Sequence, residues 1–176
     1  MTRSIQRPLL PDTAIKNADS PSWSVRAAAG RQLASSDRTE EPTVAGLLHR
    51  LLLDAEDTAV TAATAQSLLE RQDLTGLRHV LLARSCAGET WTADEIQAAL
   101  DCDPGWTTTT GAARLIKQLR KLLTDSDVGV RDEAQRILAP IRPREEWAQG
   151  PGSDAPIEVV TSSAPRWTTE LTTPLR

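Results

Sequence analysis

The chain has 176 residues and a net charge of −4, enough for one domain-sized core and the wrong sign for general binding to nucleic acid or an anionic membrane surface. Phe and Tyr are absent and Trp occurs five times, so the core falls to Leu, Ala, Val and Ile, which suits short helices packed closely. No apolar run is long enough to cross a bilayer, the N-terminus lacks a signal-peptide core, and Cys86 and Cys102 alone make no disulfide framework, so a reduced, cytoplasmic setting is expected.

Residues 1–20 are polar, carry Pro8 and Pro11, and read as an N-terminal tail with at most one helical turn near Ala14 to Ala18. From Ser22 to about Ser35, Val25, Ala28, Ala29 and Leu33 recur at helical spacing. A polar loop, Ser36 to Pro42, precedes a helix that Thr43 can cap and that carries Val44, Leu47, Leu48, Leu51 and Leu52. A tight acidic link, Asp54 to Asp57, leads into its partner helix, which runs to about Gln72. Another helix starts at Asp73 or Thr75, carries Leu77, Val80 and Leu81, and breaks at Gly88. Thr92 to about Cys102 comes next, followed by an irregular link through Pro104, Gly105, Trp106 and the run Thr107 to Thr110. Ala112 to Leu123 turns Leu115, Ile116, Leu119, Leu122 and Leu123 inward, and Asp125 to Leu138 ends the series before Pro140 and Pro143. The helical domain is therefore expected over 21–148, with the Pro/Gly/Thr-rich residues 149–176 as a second, disordered tail.

One helix is spelled more than once. Asp127, Val130, Ala134 and Leu138 fall on Asp57, Val60, Thr64 and Leu68, and again on Ser22, Val25, Ala29 and Leu33, so the step is 35 residues. The same step predicts a start at Thr92, where Thr92 and Glu95 have capping-box spacing. The cap column then reads Ser22, Asp57, Thr92, Asp127, all residues whose side-chain oxygen can satisfy an orphan helix amide. Self-similarity at a period of this size marks stacked helical units that cannot bury their apolar faces singly. The four segments are expected to lie side by side in one layer, with the third copy distorted because Glu95 and Asp103 replace its Val and Leu.

Asp125-Ser126-Asp127-Val128-Gly129-Val130-Arg131 with Ala134 and Leu138, and Val25-Arg26 with Ala29 and Leu33, resemble the turn and second helix of HEAT repeats, including the shorter HEAT-like repeats of the PBS-lyase type; in the second copy Thr61 stands where the Arg is usual. The resemblance covers about residues 20–142. It implies an all-α fold, a short α-solenoid of three to four helical hairpins, whose second helices line a concave face that binds protein domains or extended peptides.

Helix phase places Arg31, Gln66, Glu70, Arg71, Gln97, Gln135 and Arg136 on that face, and Trp91 and Trp106 flank the irregular third copy as further partner-binding candidates. Arg26 and Arg131 are expected to pair with turn carboxylates such as Asp54 or Asp57 rather than with a ligand. Glu89, Asp94, Glu95, Asp101 and Asp103 form an acidic run with no basic residue among them, read either as solvated surface or as a site for a basic partner. Arg114, Lys117, Arg120 and Lys121 form a basic stripe, and residues 92–123 could be a helix-turn-helix, although the link between the two helices exceeds the usual 3–4 residues.

His49, His79, Cys86 and Cys102 are too scattered for a zinc site, and no nucleophile–base or phosphate-loop motif is present. The expectation is a non-catalytic protein-interaction module, an adaptor, scaffold or inhibitor- or immunity-type binder, with no cofactor, metal or membrane partner. A DNA-binding regulator using residues 92–123 is the alternative.

Overall fold

Eight α-helices and one 3-10 turn, with no strand, make up residues 12–141, the part of the chain that the computed structural model describes. They are α1 (Asp12–Asn17), α2 (Trp23–Ala34), α3 (Pro42–Leu52), α4 (Thr58–Glu70), α5 (Leu74–Cys86), α6 (Thr90–Asp101), the 3-10 turn Pro104–Thr107, α7 (Thr109–Leu122) and α8 (Val128–Leu138). The turn expected near Ala14 to Ala18 is α1, which packs on α2 and buries Ala14 and Ala18. The C-terminal tail proposed for 149–176 lies outside the described residues.

The helix starts follow from capping chemistry. A helix leaves its first amides without intrahelical acceptors, and a short oxygen-bearing side chain supplies one. Asp57 accepts from the Ala59 amide at 2.9 Å, Asp73 from Gly76 at 2.7 Å, Thr108 from Gly111 at 3.0 Å, and Asp127 from Val130 at 3.1 Å. Ser22 holds the cap position of α2, but its hydroxyl pairs with that of Ser24 instead of an amide. The Thr92–Glu95 capping box does not form. No proline blocks residues 88–91, the first turn closes from the Ala93 amide onto the Glu89 carbonyl, and the cap position of α6 therefore falls at Glu89, three residues before Thr92, with Thr92 buried inside the helix.

α2 packs on α4 and α4 on α6, while α3 and α5 cover them from the other side. Leu33, Leu48, Leu52, Val60, Leu68, Leu81 and Ile96 are fully covered between these helices. Burying one such side chain is worth about 1.5–3 kcal/mol, and this continuous Leu/Val/Ile seam is the main source of stability. On α2 the buried face is Arg26, Ala27, Ala29, Gly30, Leu33 and Ala34, one residue round from the stripe expected through Val25 and Ala28. On α7 the buried set is Gly111, Leu115, Leu119 and Leu122, with Ile116 half-buried and Leu123 left 38% exposed.

The fourth copy leaves the row. α8 packs on α5 and α7 rather than on α6. The cause is legible in three ion pairs. Arg26 in α2 clamps the α3–α4 turn, with Nε 2.7 Å and a terminal nitrogen 3.1 Å from the two Asp54 oxygens. The residue one full double step on from Arg26 is Ile96, which is buried and cannot repeat that clamp on the α7–α8 turn. Arg78 of α5 grips Asp125 instead, at 2.7 and 3.0 Å, and Arg84 of α5 reaches Glu133 of α8 at 3.3 Å. The last hairpin is thereby docked on α5.

His79 sits within α5, buried, with Nε2 3.2 Å from the Thr39 carbonyl oxygen. Burial pushes its pKa below the ordinary value; the Thr39 carbonyl favours the cation, and the nearby charges of Arg78, His49 and Arg71 oppose it. The unfolded chain then takes up a proton before the folded one does. The stability His79 confers is whole above its unfolded pKa of about 6.5 and declines as pH falls from there toward the lower folded value. Melting temperature should drop between about pH 7.5 and 5.5, and the drop should be smaller in His79→Gln, which keeps a donor for Thr39 but does not titrate.

Candidate binding groove

Two depressions lie beside α6. The first, about 280 Å³, runs between α4 and α6. Its floor is small and apolar, from Ala62 and Leu69 of α4 and Ala98 and Ala99 of α6. Its sides carry Gln66 and Glu70 of α4 and Glu95 of α6, and Asp103 stands at its end. Alanines at three of these positions let the two helices approach and leave a channel where larger side chains would have filled it. Glu70 accepts only from Gln66, at 3.2 Å, and neither Glu70 nor Glu95 meets a cationic side chain within the described residues.

Asp103 owes its place to the 3-10 turn. Its Oδ1 accepts from the Gly105 amide at 2.7 Å and starts that turn, while Trp106 donates its indole N–H to the Leu100 carbonyl at 3.0 Å and so caps the end of α6. The residue as a whole is 6% exposed.

The second depression, about 160 Å³, lies among α5, α6, α7 and α8 and is lined by Leu77, Leu100, Trp106, Leu115 and Ile137 with Gln97 and Arg136; Asp103 lines both depressions. Arg136 donates to Gln97 at 2.6 Å and to Glu133 at 2.8 Å, and Gln97 donates to Asp101 at 2.7 Å. These polar groups are already joined to one another across α6 and α8.

The candidates chosen by helix phase thus fall in several places. Gln66 and Glu70 share the α4–α6 groove, and Gln97, Trp106 and Arg136 share the second depression. Arg31 is exposed on α2 with no ion pair among the described residues, and Gln135 lies on α8 in a separate open surface hollow. Trp91 is 75% exposed at the start of α6. Arg71 is committed within the fold: it donates to the Ala34 and Ser36 carbonyls at 2.9 and 2.7 Å, closing the end of α2, and pairs with Asp73. Glu95, Ala98 and Asp103 complete the groove and were not among the phase-derived candidates. Glu95 looked spent as a capping partner; only the acidic run from Glu89 to Asp103 pointed to it.

The turn arginines carry structural weight. Arg26 donates to the Ser20 and Pro21 carbonyls and Arg131 to those of Asp125 and Ser126, the same offsets in both copies. Asp54 is desolvated, which alone would raise its pKa, but the Arg26 hydrogen bond, the Asp57 and Glu56 amides and the Arg26 charge outweigh this and hold it low. Arg78 does the same for Asp125. Arg26 and Asp54 line an open hollow, yet both are saturated by partners from the protein itself.

No three His, Cys, Asp or Glu side chains among the described residues stand where they could share a metal ion. Cys86 and Cys102 are free and exposed. No helix among the described residues is long and apolar enough to cross a membrane. α6 ends at Asp101 and α7 begins at Thr109, a link longer than the 3–4 residues of an ordinary helix-turn-helix. Compared with protein-family models, with curated proteins and with solved structures, the chain shows no match to any of them.

Proposed function

We propose that this chain is a short HEAT-like helical array that binds another protein, or an extended peptide of one, without catalysis. The binding surface is the face where α2, α4 and α6 lie in a row. The observation that carries this reading is the α4–α6 groove, whose alanine and leucine lining is accompanied by Gln66, Glu70 and Glu95, none of them in an ion pair among the described residues. Such a surface, apolar at the centre and polar at the rim, has the anatomy of a protein-binding patch. The exposed Trp91 at the start of α6 adds an aromatic anchor of the type that contributes most to interfaces. Asp54 and Asp125, the two carboxylates in turns that arginines hold below the ordinary pKa, are locked in ion pairs, which supports a structural use for them and not a catalytic one.

A second reading rests on α7. Its Arg114, Lys117, Arg120 and Lys121 make no ion pair within the described residues, so phosphate contact is open to them.

One experiment separates the two. A photo-crosslinking amino acid is placed at Gln66 in one protein and at Lys117 in another, each expressed in the native cell. Protein adducts at Gln66 that vanish when Ala98→Trp fills the groove are the expected result. Nucleic-acid adducts at Lys117, with none at Gln66, would overturn the first reading in favour of the second.

A further inference from the structure

We infer that the second depression, among α5, α6, α7 and α8, binds a small zwitterion with an apolar side chain, a free α-amino acid of leucine size. This site is independent of the protein-binding reading and lies in a different hollow from the α4–α6 groove.

The hollow is a product of the broken row. α8 packs on α5 and α7 and not on α6, so the flank of α6 that a next row helix would have covered stays open toward α8. Leu77, Leu100, Leu115, Leu119 and Ile137 wall the space together with the Trp106 ring, which its indole N–H to the Leu100 carbonyl holds in place. At about 160 Å³ it has room for one small hydrocarbon group, since an apolar cavity of about 150 Å³ takes a benzene ring. Apolar walls around such a space lack partner atoms on one side, and a small guest supplies them.

The polar lining specifies the other half of the guest. The Gln97 side-chain amide accepts from Arg136 at 2.6 Å and donates to Asp101 at 2.7 Å, so it holds a guanidinium and a carboxylate one amide apart. Arg136 and Asp101 both line the hollow, yet they make no ion pair with each other. Arg136 pairs with Glu133 through Nε, and its Nη1 has no partner within the described residues. A cation and an anion held side by side at an apolar hollow match a ligand whose carboxylate, ammonium and side chain all leave one carbon. Its carboxylate meets the guanidinium, whose planar donors suit such groups, and its ammonium meets Asp101. A carboxylic acid alone leaves Asp101 unmatched, and an amine alone leaves Arg136 so. An apolar space between helices with a few convergent polar groups is the usual build of a small-ligand site.

The test is isothermal titration calorimetry of the full chain with L-leucine, for which saturable one-to-one binding is expected. Isocaproate and isoamylamine each keep the alkyl group and one charge, and each should bind about fivefold more weakly or worse. Glycine keeps both charges without the side chain and should give no saturable heat. Arg136→Ala should weaken L-leucine about fivefold or more. Ile137→Trp, at a half-buried wall position, should fill the hollow and abolish binding. Arg31→Ala removes the same charge from α2 and should leave the affinity within about twofold. Circular dichroism melts establish which variants fold; should Ile137→Trp not fold, Arg136→Ala and the ligand series decide. Absence of saturable L-leucine binding overturns the inference. So does L-leucine binding that glycine or either singly charged analogue matches, or that Arg136→Ala leaves unchanged.

Discussion

Arg26→Met is expected to cost about 3 kcal/mol of stability, lowering the melting temperature by about 10 °C for a domain of this size. The Arg26 and Asp54 side chains are each 8% exposed. Arg26 also carries the Ser20 and Pro21 carbonyls, so one side chain ties the α2 entry to the α3–α4 turn. Methionine keeps much of the apolar stem and removes every donor. Asp54 would keep the Glu56 and Asp57 amides but lose its counter-charge in a nearly dry position. Removing one partner of a buried pair costs more than the pair is worth, because the other is left uncompensated. Arg136→Ala is the control: its side chain is 43% exposed and its loss should cost under about 1 kcal/mol. Urea denaturation of the three proteins measures both values. The same pair sets the acid limit. Asp54 is depressed in the folded state, so its contribution is whole above the unfolded carboxylate pKa of about 4 and is lost as pH falls below that through the folded value. Arg26→Met should therefore show a flatter loss of stability below about pH 4 than the parent.

What could be read from the sequence was what depends on near neighbours. Asp57 and Asp127 cap their helices as their spacing demands, since a cap needs only an amide two or three residues on. Thr92 shares the register and fails, because the turn before it was free to close and nothing local forbade it. The α2–α4–α6 row follows the 35-residue step, yet α8 departs from it. That departure depends on Arg78 and Asp125, 47 residues apart, and its only local sign was Ile96 standing where an arginine would have repeated Arg26. The groove was half visible. Gln66 and Glu70 came from helix phase, and the acidic run came from composition. The burial of Asp103 did not, because it depends on a 3-10 turn that Pro104 and Gly105 allow and that a run of threonines disguised.

The row itself makes the second large prediction. α2 and α4 cross at Gly30, where an added Cβ would lie 2.1 Å from Thr64 Oγ1 and 3.2 Å from Thr64 Cβ. Within a helix, Gly→Ala ordinarily gains about 1 kcal/mol. Here the sign should reverse. Thr64 is fully buried and its hydroxyl is fixed by a 2.8 Å hydrogen bond to the Val60 carbonyl, so it cannot swing aside as a long flexible side chain would. Gly30→Ala must push the helices apart or break that bond, for a net loss of about 1–3 kcal/mol. In a Thr64→Ala background the oxygen is gone and the remaining 3.2 Å contact asks for only a small shift, so Gly30→Ala should cost within about 0.5 kcal/mol of zero. A double-mutant cycle by urea titration reads the coupling, expected at about 1–3 kcal/mol. Additive effects would mean that the α2–α4 seam yields easily, and the face built on it would then be too soft to hold a groove of fixed width beside α6.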